Sequence, residues 1–190
     1  DVRAAGERFS IKYDGAPPWE GGKNCSGTFT PGAARLREYL RSGAFRGVVG
    51  IGGYACRQNT ANPALTSEHG LGTAIDVMIK PLRPVVADSE LGDPIANWLV
   101  TNAAELGVQF VIWNRTSWGG ARRAPKDRPY GGPNPHVDHV HHELNKDGAA
   151  MRTPWYSRHF AESPRAREVG GGLLLTFLAA TGAVLLASRT

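Results

Sequence analysis

Ser67-Glu68-His69-Gly70-Leu71-Gly72-Thr73-Ala74-Ile75-Asp76 sets an imidazole and a carboxylate seven residues apart, with two glycines between them. An apolar run from Ala74 to Ile79 begins just before the carboxylate. The pattern reads as a turn feeding a strand. Side chains alternate along a strand, so Thr73, Ile75 and Val77 face one way and Ala74, Asp76 and Met78 the other. A carboxylate among small and apolar neighbours is out of place unless it binds something. A second stretch, His136-Val137-Asp138-His139-Val140-His141-His142, alternates in the same manner. His139 and His141 share one of its faces, Asp138 and Val140 the other. Two imidazoles and one carboxylate are the donor set of an open zinc site with room for a water. A single histidine here would more often be a satisfied structural residue; four within seven residues, with an aspartate among them, point to a metal. His142 alternates away from His141 and reads as structural, and Glu68 reads as solvated.

Upstream, Gly47 to Gly53 is a Val/Ile/Gly run suited to a buried strand, which delivers Tyr54, Cys56 and Arg57 to the edge of the site. Before it, Thr30-Pro31 starts a helix, with an N-cap and then proline at the first helical position. Ala34, Leu36, Tyr39 and Leu40 form its apolar stripe and Gly43 stops it. Residues 1 to 24 are rich in Gly, Pro and turn formers and read as an extended lead-in. Downstream, Asp93-Pro94 caps a helix running to about Leu106, Gly107 ends it, and Val108 to Trp113 reads as a core strand. Thr116 to Pro135 reads as a long loop forming a substrate rim or lid.

In combination, Ser67-x-His69-x-x-Gly72-x-Ala74-x-Asp76 and the later His-x-His pair resemble the zinc peptidases of the D-alanyl-D-alanine carboxypeptidase type, relatives of the lysostaphin and hedgehog-domain group. Tyr54-Ala55-Cys56-Arg57 and Asp138-His139-Val140-His141 are most similar to the extensin-like C-terminal and related peptidase domains. The resemblance runs from about Cys25 to Leu144. It implies an α+β fold, with a small antiparallel sheet carrying the zinc site and helices flanking it. It further implies zinc held by His69, Asp76 and His141, and action on peptidoglycan peptides as a D,D-carboxypeptidase or endopeptidase. Arg57 matches the arginine such peptidases place near the metal, where a guanidinium stabilises an oxyanion; the bland alternative is a surface arginine in a loop. The relatives commonly carry glutamate three residues before the last histidine ligand. Here Asp138 stands there, one methylene shorter, as the expected base, with His139 as electrostatic helper or rival base and His136 as a third candidate. On an ideal strand Asp138 faces away from His141, so its use as base calls for a bend or bulge.

The net charge of +5 favours anionic partners, but no basic helix, RNA-binding aromatic signature or lysine run supports nucleic acid. Ser67 lacks a nucleophile-elbow pattern, and Gly70-Leu71-Gly72 and Gly131-Gly132 lack the lysine of a phosphate loop. The two cysteines, Cys25 and Cys56, suit one disulfide in an exported domain, the alternative being two separate buried thiols. The chain is thus divided into the lead-in, a zinc peptidase-like domain over residues 25–148, an Arg-rich linker over 149–169, and an apolar helix over 170–187. Those eighteen residues reach about 27 Å as a helix, close to the roughly 30 Å hydrocarbon core. The expectation is a membrane anchor with the catalytic domain on the extracytoplasmic side. The competing functional reading is a non-catalytic cell-wall-binding module that keeps the peptidase-like fold.

Overall fold

The computed structural model describes Tyr13 and residues 15–160. Among them, six strands form one antiparallel sheet with helices packed on it, an α+β architecture. Extended Thr30 followed by Pro31 opens α1 (Pro31–Arg41); proline is tolerated at that position because its missing N–H would have had no carbonyl partner. Ala33, Leu36 and Leu40 come to its buried side, and Gly43 follows its end with φ 92°. β1 (Val48–Gly52) is an edge strand on β2 (Ala74–Ile79). Then come α2 (Ser89–Thr101), α3 (Ala103–Leu106), β3 (Val108–Trp113), β4 (Thr116–Gly119), β5 (Asp127–Pro129), β6 (His139–Leu144), α4 (Lys146–Ala149) and α5 (Pro154–Phe160).

The sheet order is β1-β2-β6-β3-β4-β5, so β6 lies between β2 and β3. In its register with β2, Met78 faces His139, Asp76 faces His141 and Ala74 faces Glu143. Strand alternation then sorts the two faces. Ile75, Val77, Ile79, Val111, Val140 and Leu144 are buried with Leu36 and Leu40 of α1 and with Ile95, Ala96 and Leu99 of α2. Burying a large aliphatic side chain contributes roughly 1.5–3 kcal/mol, so this face fixes the register and leaves the other for chemistry. His142 lies on the core face, fully buried, and burial together with the charge of His141 pushes its pKa down to about 3.

Four expectations change. The α2 helix begins four residues before Asp93, because Asp88 takes the cap and accepts a hydrogen bond from the Leu91 amide at 3.3 Å. Asp93 instead accepts the indole N–H of Trp113 at 2.9 Å, and Pro94 sits inside the helix. The segment from Thr116 to Pro135 contains β4 and β5, which extend the sheet. Glu68 is buried, 3 % exposed, where solvation was expected. The fourth change is the membrane anchor and, with it, membrane partnership and the extracytoplasmic placement. Among the described residues no helix is long and apolar enough to cross a membrane. The longest, α2, has 13 residues and rises only about 20 Å against a hydrocarbon core of about 30 Å. Residues 170–187 lie outside the described residues. Cys25 and Cys56 form the disulfide.

Candidate metal centre

Three side chains from three places in the chain meet on the face of the sheet turned away from the helices. Asp76 and His141 are cross-strand partners on β2 and β6. His69 comes from the turn before β2, which folds tightly on itself: the amides of Gly70 and Leu71 donate to the Ser67 carbonyl at 2.7 and 3.0 Å, and those of Thr73 and Ala74 to the Glu68 carbonyl at 3.1 and 3.2 Å. Gly72 has φ 71°, and a Cβ there would collide with the Thr28 carbonyl oxygen, so glycine is required on both counts.

His69 Nε2 lies 3.5 Å from Asp76 Oδ2, and His141 Nδ1 lies 3.0 Å from Asp76 Oδ1. One donor atom from each residue falls within 4.8 Å of the others, so the group could hold a metal ion. The fit is good in kind and in spacing. Donors about 2.0–2.2 Å from a tetrahedral centre lie roughly 3.3–3.6 Å apart; the His69–Asp76 contact of 3.5 Å falls in that range and the His141–Asp76 contact of 3.0 Å just below it. Both histidine side chains are nearly buried, at 7 and 8 % exposure, while Asp76 keeps 23 %, which leaves one side of the group open to solvent.

Electrostatics bind the group together. Burial pushes the Asp76 carboxyl up, but the hydrogen bond from His141 and the charges of His141, His69 and His139 outweigh it and hold it well below the usual carboxylate range. Burial likewise pushes His141 down, but its contacts with the Asp76 and Glu143 carboxylates outweigh it and bring the imidazole up to about 9. His69 is lowered, by burial first and then by the charges of His141 and Arg57. Arg57 is exposed, yet its charge acts on His69. Its carbonyl accepts the Ser67 amide at 2.9 Å, which ties the segment after Cys56 to the turn carrying the first histidine.

Asp138 and His139 form a second contact. Asp138 Oδ1 is 2.7 Å from His139 Nδ1, and His139 Nε2 is 3.9 Å from Asp76 Oδ1. Asp138 immediately precedes β6, where its carbonyl accepts the Ile79 amide at 2.7 Å. Its side chain lies half exposed beside the imidazole. His136, at φ 52°, packs its ring 4.6 Å from that of His139 and 5.0 Å from that of Tyr130. Burial, then the charges of His139 and His141, push His136 down to about 4.

Sequence reasoning missed three residues here. Glu143 is buried, with Oε1 3.1 Å from His141 Nε2; the alternation that selected His139 and His141 places it next on the same face. Tyr130 lies against His136, and its hydroxyl pKa is raised by burial and by the charge of Glu143. Glu68, hydrogen-bonded by the Thr73 hydroxyl at 2.6 Å, is raised to about 8 by burial and by the charge of Glu143. A cavity of about 540 Å³ lies beside the donors, not over them, lined by Glu20, Glu68, Leu71, Thr73, Leu144 and Lys146 among others.

Residues 25–141 match the family model described as VldE, C-terminal domain. No curated protein and no solved structure matches the chain.

Proposed function

The chain belongs to the family of VldE C-terminal domains, and we propose that it is a zinc-dependent peptidase, hydrolysing peptide bonds of the peptidoglycan type by D,D-carboxypeptidase or endopeptidase cleavage. The observation that carries this reading is the convergence of His69, Asp76 and His141 on one open face of the sheet. Two neutral imidazoles and one carboxylate suit zinc, and a three-residue set leaves a position for substrate. The substrate class rests on the resemblance to the D-alanyl-D-alanine carboxypeptidase type.

Zinc held by these residues would supply Lewis-acid activation of the scissile carbonyl and of the attacking water. The chain's own groups do the rest. His139, with Nδ1 fixed by Asp138, turns Nε2 toward the donors. It takes the proton from the attacking water and returns it to the leaving amine. Asp138 and His139 work as a unit, the aspartate fixing the tautomer and orientation of the ring in front of it. Arg57, whose charge acts on His69, stabilises the oxyanion that develops on the carbonyl. Tyr130, kept protonated by its raised pKa, adds a hydroxyl donor on the His136 side.

The test is digestion of purified peptidoglycan by the full chain, with and without a chelator and with zinc restored, reading products by mass spectrometry. The expected result is loss of a terminal D-alanine or scission of a cross-link, abolished by chelation and recovered with zinc. Folded, zinc-loaded protein that yields no product would overturn the peptidase and leave the wall-binding module.

A further inference from the structure

We infer that the lead-in segment is part of the metal centre: Trp19 and Gln109 hold Glu143 against His141 Nε2, and that contact makes Nδ1 the nitrogen His141 gives to a metal. The inference rests on the reading of His69, Asp76 and His141 as metal ligands.

A neutral imidazole carries one N–H, and a ligating ring must turn its lone pair to the ion and donate its other nitrogen elsewhere. His141 has a carboxylate at each nitrogen: Asp76 Oδ1 at 3.0 Å from Nδ1 and Glu143 Oε1 at 3.1 Å from Nε2. Asp76 is itself in the donor group with His69, so the ion belongs on the Nδ1 side. Glu143 is left as acceptor of the Nε2 proton. Its position is held from behind. Oε2 accepts the Trp19 indole N–H at 2.9 Å and the Gln109 amide at 3.5 Å. Gln109 is in turn bracketed by Glu20, accepting its backbone N–H at 3.4 Å and donating to its carbonyl at 3.3 Å. Lead-in, β3 and β6 therefore close around one carboxylate. Trp19 is 43 % exposed, so packing alone does not account for its place; its committed group is the N–H.

Glu143 and Trp19 are positioning residues, and the test reads the metal directly. Zinc affinity of the full chain is measured by competition with a chromophoric chelator. ¹⁵N NMR of the zinc-loaded protein then identifies which His141 nitrogen keeps its proton. Wild type is expected to show Nε2–H. Glu143→Gln is expected to bind zinc about 10–100-fold more weakly, and Trp19→Phe, which removes the N–H together with the five-membered ring that carries it, to weaken it in the same direction with unchanged circular dichroism. Wild-type affinity in both variants, or a metallated Nε2, overturns the inference while leaving the site intact. Failure of wild type to bind zinc would instead overturn the reading of the site itself. Should Glu143→Gln not fold, the half-exposed Trp19→Phe change still decides.

Discussion

Asp76 faces three imidazoles, those of His69, His139 and His141, and its replacement separates the roles of the site most sharply. Asp76→Asn keeps the shape and removes the charge. Zinc affinity is expected to fall by more than the roughly 10–100-fold typical of an outer-shell contact, as calorimetric titration would show. The same variant isolates a pH effect in metal-stripped protein. Asp76 has a depressed folded pKa, so its contribution is present above the unfolded value of about 3.9 and is lost as pH falls toward the folded one. His141 is raised to about 9, so its contribution is complete below the unfolded value of about 6.5 and is lost as pH rises through 9. The melting-temperature difference between wild type and Asp76→Asn is therefore expected to be largest between about pH 4 and 6.5 and to shrink toward pH 9 and above. Glu68, on which the Asp76 charge does not act, titrates in both proteins and cancels; His69, His136 and His142 lose the raising influence of that charge in the variant, which adds to the difference on the same acidic side. A difference that grows with pH would sink this account.

Among the elements, α1 and α4 meet at a pair of glycines. A Cβ on Gly32 would collide with the Gly148 carbonyl oxygen, while one on Gly131 would meet nothing within 4 Å. Gly32→Ala is expected to destabilise by about 1–3 kcal/mol, as overpacking does, and Gly131→Ala to stay within about 0.5 kcal/mol; urea unfolding of the two compares them. Such contacts are invisible to sequence periodicity, which reports which face is buried and not what lies across from it. What periodicity does report was legible in large part: Leu36 and Leu40 of the α1 stripe, the alternation of β2 and the apolar run of β3 came from local pattern, while Ala34, expected in that stripe, is exposed and Ala33 is buried instead. The start of α2 was not legible, since Asp93-Pro94 imitates a helix start and only the indole of Trp113, twenty residues on, shows what Asp93 is for. β4 and β5 were hidden for another reason. They are only four and three residues long, too short for an alternation to show, although Trp118 of β4 is fully buried in the core.

For the whole molecule, the disulfide between Cys25 and Cys56, 31 residues apart, closes a loop worth about 3–4 kcal/mol by chain entropy. Replacing both cysteines with serine is expected to lower stability by that order in urea unfolding, and an unchanged midpoint would show that the loop is already held by its hydrogen bonds. Density and alternation singled out the two motifs but left His139 and His141 on one face, and the grouping of His69, Asp76 and His141 was implied by the resemblance to the zinc peptidases. The supporting layer was not legible: Trp19 and Glu143 are 124 residues apart, and nothing local marks either as the other's partner. The strand order has a further consequence for how the protein comes into being. β6, the last strand among the described residues, is inserted between two strands made before it, and it brings His141, Glu143 and the Asp138–His139 pair together. A nascent chain that has not yet produced β6 has β2 and β3 without their common neighbour and only two of the three metal donors. A metal ion held by this group would therefore have no part in the early half of the fold and would bind a sheet already closed; long-range closure of that sort is a slow step that leaves open strand edges exposed to other chains.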